Sequence, residues 1–168
     1  QTTFDAATDK GSSTIYGQTV NINQPEFWTK TGYRFNDNHH LVFFASTFYQ
    51  DQQSYFGTVK YDAQQTNIYG NAQYEWNYSN HLLKTGVSFR HLDLDEEITF
   101  TNDDLQRTYD GNYNRRENII GVFAENTMRF FDDKLTWIAG VRSDNHNQFG
   151  TIFTPRTLVK YDFSPKAT

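Results

Sequence analysis

The chain has no cysteine, which removes disulfide frameworks and thiolate metal sites. It has three prolines and one methionine. No stretch approaches the roughly 20 consecutive apolar residues that a membrane-spanning helix needs. No signal-peptide pattern heads it, so Gln1 is expected to be a processed end or an internal cut. Positive charge is also scarce: the net charge is −5 and the pI near 5.4, which argues against a nucleic-acid partner. His39 and His40 are adjacent, so on a strand they point to opposite faces and cannot chelate together. There is no nucleophile elbow and no Gly-rich phosphate loop. Neither catalysis nor a cofactor or metal is therefore expected, and an outer-membrane lipase or protease is disfavoured.

Aromatic residues are plentiful. They make up 17% of the 168 residues, against 36% hydrophobic residues in all, and Asn, Gln and Thr surround them. A mean hydropathy of −0.79 excludes helical spans but not a β-barrel, whose strands meet lipid only at every second residue.

Period two recurs along the chain, with turn residues between the repeats. From Asn67 to Tyr78 one face carries Ile68, Gly70, Ala72, Tyr74, Trp76 and Tyr78, and the other Asn67, Tyr69, Asn71, Gln73, Glu75 and Asn77. The return strand sets Leu83, Val87 and Phe89 against Lys84, Ser88 and Arg90. Downstream, Ile120, Val122, Ala124, Met128 and Phe130 oppose Glu125, Thr127 and Arg129. Leu135, Trp137, Ala139 and Val141 then alternate with Thr136, Ile138, Gly140, Arg142 and Asp144. In the last strand Phe153, Val159, Tyr161 and Phe163 face away from Arg156, Lys160 and Asp162. Seven strands are predicted, over 26–35, 40–50, 66–78, 81–94, 117–131, 134–146 and 152–163, with an eighth available from 14–20. Phe43, Phe44, Ala45 and Phe48 make the second of these apolar on both faces, which leaves its register open.

The expected turns at 36–39, 77–80, 131–134 and 164–167 are tight, whereas longer connections are expected near 51–62 and 96–115, with a shorter one near 146–151. Short turns on one side and long loops on the other is the asymmetry of outer-membrane barrels, whose short turns are periplasmic. Trp76, Tyr78, Phe130, Phe131 and Phe163 sit beside the short turns, where an interfacial girdle places its rings. Packing inside a soluble sandwich is the other reading of the same aromatics.

Lys84, Arg90, Glu125, Arg129, Arg142, Arg156 and Lys160 all fall opposite the apolar set. A charge facing lipid at the midplane costs about 2–4 kcal/mol, so alternation assigns them to the barrel interior. There they meet a plug or water, or, in a small barrel, one another. Asp93, Asp95, Glu96 and Glu97, with Asp103 and Asp104, are candidate oxygen ligands for calcium or a solvated charge cluster. The stretch 96–116 offers Tyr109, Tyr113, Arg115 and Arg116 as ligand-contacting residues, because Tyr stacking plus Arg suits an anionic chelate or a glycan. His146, within Asp144-Asn145-His146-Asn147, is a second candidate, with a solvated loop as the plainer reading.

The stretch from Ile120 to Ser164 carries a resemblance. Gly121-Val122-Phe123-Ala124-Glu125-Asn126-Thr127, Lys134-Leu135-Thr136-Trp137-Ile138-Ala139-Gly140-Val141-Arg142 and Phe153-Thr154-Pro155-Arg156 follow in the order and spacing of barrel strands in TonB-dependent outer-membrane receptors. Ser54-Tyr55-Phe56-Gly57 and Tyr61-Asp62-Ala63-Gln64-Gln65 resemble the Bacteroidota-type branch less specifically. The resemblance implies a Gram-negative outer-membrane location and a 22-stranded barrel. It also implies an N-terminal plug and import of a scarce nutrient (an iron chelate, haem or cobalamin) driven through the TonB complex. The partners implied are outer-membrane lipid, the remaining strands and plug of the same receptor and, indirectly, TonB. No plug, TonB-contacting segment or terminal aromatic is recognised in this sequence, so 1–168 is expected to be part of one barrel domain. The alternative is a complete eight-stranded barrel of adhesive or structural role, in which 1–24 closes onto 152–163.

Overall fold

The computed structural model describes residues 3–101 and 109–163, and every described regular element is a strand. These are β1 (Gln18–Asn23), β2 (Glu26–Asn36), β3 (His39–Phe56), β4 (Val59–Tyr78), β5 (His81–Phe100), β6 (Gly111–Phe130), β7 (Leu135–His146) and β8 (Gly150–Tyr161). They form one sheet in the order β1-β3-β4-β5-β6-β7-β8, with β2 also on β3. The pairings with a recorded register, β1–β3, β6–β7 and β7–β8, are antiparallel.

Two compact units divide the chain: 1–27, 47–67 and 92–116 form one, and 28–46, 68–91 and 117–168 the other. In the second unit the registers fix the sides. Val122 pairs with Ser143, Ala124 with Val141, Met128 with Trp137 and Phe130 with Leu135. Trp137 in turn pairs with Val159, Val141 with Pro155 and Leu135 with Tyr161. Directly paired residues share a face. One face is therefore apolar, and it is also solvent-open: Ile120, Val122, Val141, Phe153 and Val159 are all exposed. On β6 it runs from Ile120 to Phe130, about 33 Å of strand, which at a tilt of 35–45° matches a band of about 25 Å.

The register left open for the 40–50 strand is resolved. His39 stacks on Tyr74 and Trp76, and Leu41 lines the same depression as Ala72 and Tyr74, so the odd-numbered residues of β3 share the apolar face. Phe44 belongs to the other face, with the Lys30 ammonium 5.0 Å from its ring centre.

The first unit combines polar side-chain contacts with a small apolar core. Gln50, Gln52 and Ser54 hydrogen-bond in series, and Ser54 is fully buried. A small core of Ala63, Leu92 and Leu94 packs with Tyr61. The 3–17 segment is tied to the sheet by Gly57 N–H donating to the Gly17 carbonyl and Thr101 Oγ1 to the Gly11 carbonyl.

Three expectations are corrected. The 51–62 connection is a two-residue turn: β3 runs to Phe56, β4 starts at Val59, and Gly57 supplies the left-handed φ of +59°. The 96–115 connection is shortened at both ends, because β5 continues to Phe100 and β6 begins at Gly111. Polar residues on both faces made these extensions read as loop, although the backbone ladder does not depend on side-chain polarity. The eighth strand lies at 18–23 rather than 14–20, and it pairs with β3, not with 152–163. It is separated from β2 by Gln24 and Pro25, and Pro25 has no N–H to continue a ladder. The expected 164–167 turn lies outside the described residues.

A Cβ at Gly86 would sit 2.4 Å from the Ala72 carbonyl oxygen and 2.7 Å from the Phe123 ring. Backbone cannot yield cheaply, so Gly86→Val is expected to cost about 1–3 kcal/mol. A lower unfolding temperature of the barrel, read by heat-modifiable gel mobility, checks this; an unchanged temperature would contradict the close packing of β4 against β5.

Candidate functional site

The face opposite the apolar band holds the charges, and it is built by alternation. On a strand, i and i+2 share a face, so Arg142 reaches Asp144 directly, with Nε–Oδ2 of 2.7 Å and a second bond of 2.6 Å. The same guanidinium donates to Ser88 Oγ at 2.7 Å, from β7 across β6 to β5. That reach requires Gly121. A Cβ there would lie 2.2 Å from Asp144 Oδ1, 2.5 Å from the Arg142 guanidinium and 2.8 Å from Ser88 Oγ. Ser88 is buried and Asp144 has 18% of its side chain exposed, so the pair is partly sheltered from solvent.

The other expected charges lie on the same face by register and contact. Glu125 pairs across Gly140 with Arg156, and their side chains form an ion pair. Lys84 meets Glu75 at 3.5 Å, and Lys160 meets Asp162 at 3.2 Å. Arg90 lines a polar hollow of about 230 Å³ with Tyr69, Ser88, Arg142, Asp144 and His146. Arg129 is exposed and pairs with Thr136. Sequence reasoning put Glu75 and Asp144 on these faces without naming them as partners of Lys84 and Arg142. For Asp144 the signal was available in its i, i+2 spacing from Arg142.

His146 differs from the solvated loop residue expected. It is 7% exposed, its Nδ1 accepts from the Gln148 N–H at 3.1 Å, and Nε2 lies 3.7 Å from Glu117 Oε2. Accepting at Nδ1 leaves the proton on Nε2.

The four expected ligand residues do not converge. Tyr109 rests against Phe100, with ring centres 5.3 Å apart. Tyr113 and Arg115 are odd-numbered in β6, so they alternate onto one face, while Arg116 takes the other and donates to Asp93 at 3.0 Å. Asp93 holds the Arg116 guanidinium above its ordinary range, first through that hydrogen bond and then through its charge. Glu96 accepts from Tyr61 at 2.6 Å and lines one hollow together with Asp95, Glu97, Asp51 and Asp62, whereas Asp93 is bound to Arg116. Among the described residues no three such groups gather as a metal set, and Asp103 and Asp104 lie outside them.

Tyr61 lies well before the apolar stretch of β4, which starts at Ile68. Burial first, then the Glu96 hydrogen bond and charge, push its hydroxyl up to about 12. A raised pKa gives stability that is fully present below the unfolded value near 10 and is lost as pH rises through about 12. Between those values, Tyr61→Phe is expected to remove part of the alkaline loss of stability, read as unfolding temperature against pH. Identical profiles for variant and wild type would contradict the assignment. Gly121→Ala is expected to break the Arg142–Ser88 link at a cost of about 1–2 kcal/mol. Ser88→Ala combined with it should add almost nothing, a non-additivity that a double-mutant cycle measures.

A family model described as TonB dependent receptor-like, beta-barrel matches residues 1–168. No curated protein matches the chain.

Proposed function

Because the chain belongs to the TonB-dependent receptor β-barrel family, we propose that its strands line the import path of an outer-membrane receptor for a scarce nutrient of the iron-chelate, haem or cobalamin class. The observation that carries this reading is the two-sidedness of the sheet in the second unit, matched along its whole length by the family. One face is apolar and exposed over a bilayer's thickness; the other holds Lys84, Arg90, Glu125, Arg129, Arg142, Arg156 and Lys160.

On this reading the charged face is the lumen, wetted or covered by the plug of the same receptor, and the apolar face meets outer-membrane lipid. Energy arrives through the TonB complex acting on that plug, so these strands contribute passage and support rather than a chemical step. Tyr113 and Arg115 share the lumenal side of β6 and are the proposed ligand contacts, with Tyr109 at the entry to that strand. Arg116, on the other side and bound to Asp93, is assigned a structural role.

The test is uptake by cells. Deleting the receptor is expected to abolish import of one labelled nutrient class among ferric chelate, haem and cobalamin, and loss of TonB should abolish the same import. The double variant Tyr113→Ala, Arg115→Ala should weaken binding of that nutrient by about tenfold, the equivalent of one stacking or cation–π contact. Unchanged import of all three classes after deletion would sink the proposal.

A further inference from the structure

In the second unit the apolar face carries polar groups at one end. The rings of Tyr74, His39, Trp76, Tyr78 and His81 form a continuous series across β3, β4 and β5, with successive centroids 5.9, 5.7, 4.5 and 4.8 Å apart. The planes of Tyr78 and His81 differ by 2°. His39 Nδ1 is 2.5 Å from the Tyr74 hydroxyl, and the Asn126 amide nitrogen donates to His81 Nδ1 at 3.0 Å. A ring that accepts at Nδ1 carries its proton on Nε2, so His81 keeps a donor free beside the Trp76 and Tyr78 rings. Asn126 Oδ1 is buried without a partner.

Along the same face from this series lies a depression of about 640 Å³. Leu41, Ala72, Thr85, Val122, Ala124 and Val141 line it, and Tyr74 belongs both to it and to the ring series. Ala72, Thr85 and Ala124 are small, and the larger residues around them make a slot. An N–H donor at the end of the apolar face and an adjoining apolar slot suit a molecule with a phosphodiester and an acyl chain.

We propose that this is a binding site for a membrane phospholipid. Its phosphate accepts from His81 Nε2–H, and one acyl chain lies in the slot between Leu41 and Val141. A lipid rather than a protein is the occupant because the slot is continuous with the exposed apolar face, and because the polar groups gather at its turn-side end, at headgroup depth.

The proposal rests on the outer-membrane reading, and the experiment separates the two. The intact receptor is purified and reconstituted in nanodiscs with trace spin-labelled phosphatidylethanolamine, phosphatidylglycerol or diacylglycerol. An immobilised component is expected for the two phospholipids and not for diacylglycerol. The variant His81→Leu should weaken it by about tenfold, as loss of a hydrogen bond to a charged group does. Ala124→Phe, which fills the slot without touching the polar groups, should abolish it. Equal immobilisation of diacylglycerol, or no change in either variant, overturns the site. A fluorophore at Val159→Cys, on the same face but outside the slot and quenched by brominated lipid, reports whether this face lies in the bilayer. Quenching with unchanged immobilisation refutes the site alone, and absence of quenching refutes the membrane placement as well.

Discussion

Hydrogen bonding of the backbone is the constraint on which everything else here depends. A chain crossing hydrocarbon has no water to satisfy its N–H and C=O groups, so each strand must pair along its length, and pairing fixes a side-chain period of two. Twelve consecutive partners join β6 to β7 and twelve join β7 to β8 without interruption. A slip of one residue would send Arg142, Arg156 and Lys160 to the side of Val122 and Trp137. At about 2–4 kcal/mol for each cation near the midplane, that slip is prohibitive. The register is thus held as much by what must not face lipid as by what does.

The charged face is assembled with little long-range machinery. Arg142–Asp144 and Lys160–Asp162 are i, i+2 pairs, each neutralised by a near neighbour in sequence. Such pairs form when the strand forms and need no partner strand to be in place. Exposed pairs of this kind contribute little individually. Arg142 is the exception because it is shared: Asp144 neutralises it, and Ser88 on β5 receives its second branch over a residue with no side chain. Gly121 is needed there for what would otherwise occupy its Cβ position, not for its backbone angles.

The sides of the spanning strands were legible because lipid on one face and charge on the other give alternation its strongest contrast. Val122 against Glu125 and Val141 against Arg142 can be read by eye. Where the strands continue beyond the apolar band that contrast disappears. Asp51, Gln52 and Gln53 are polar on both faces, as are Asp95, Glu96 and Glu97, and a strand with two polar faces has the composition of a loop. The same blindness affected the ligand candidates: Arg115 and Arg116 look like neighbours in a loop, but on β6 they lie on opposite sides. The side of Phe43 and Phe44 was unreadable for the opposite reason, since both faces of that strand are apolar, and only the stacking of His39 on Trp76 decides it.

Strand continuing through 51–62 and 96–100 changes what kind of surface the first unit can offer. A long loop adapts to its ligand and loses conformational entropy on binding; a paired strand has already lost it in folding. Tyr61 bound to Glu96 and Arg116 bound to Asp93 hold side chains across β4–β5 and β5–β6, so the polar groups of this unit are fixed relative to their neighbours. A ligand that bound such a surface would be discriminated by shape and by the placement of donors, because paired strand does not move aside. The β3–β4 connection at Gly57 and Thr58 is two residues long, held by Gly57 N–H to the Gly17 carbonyl and by Thr101 N–H to the Thr58 carbonyl.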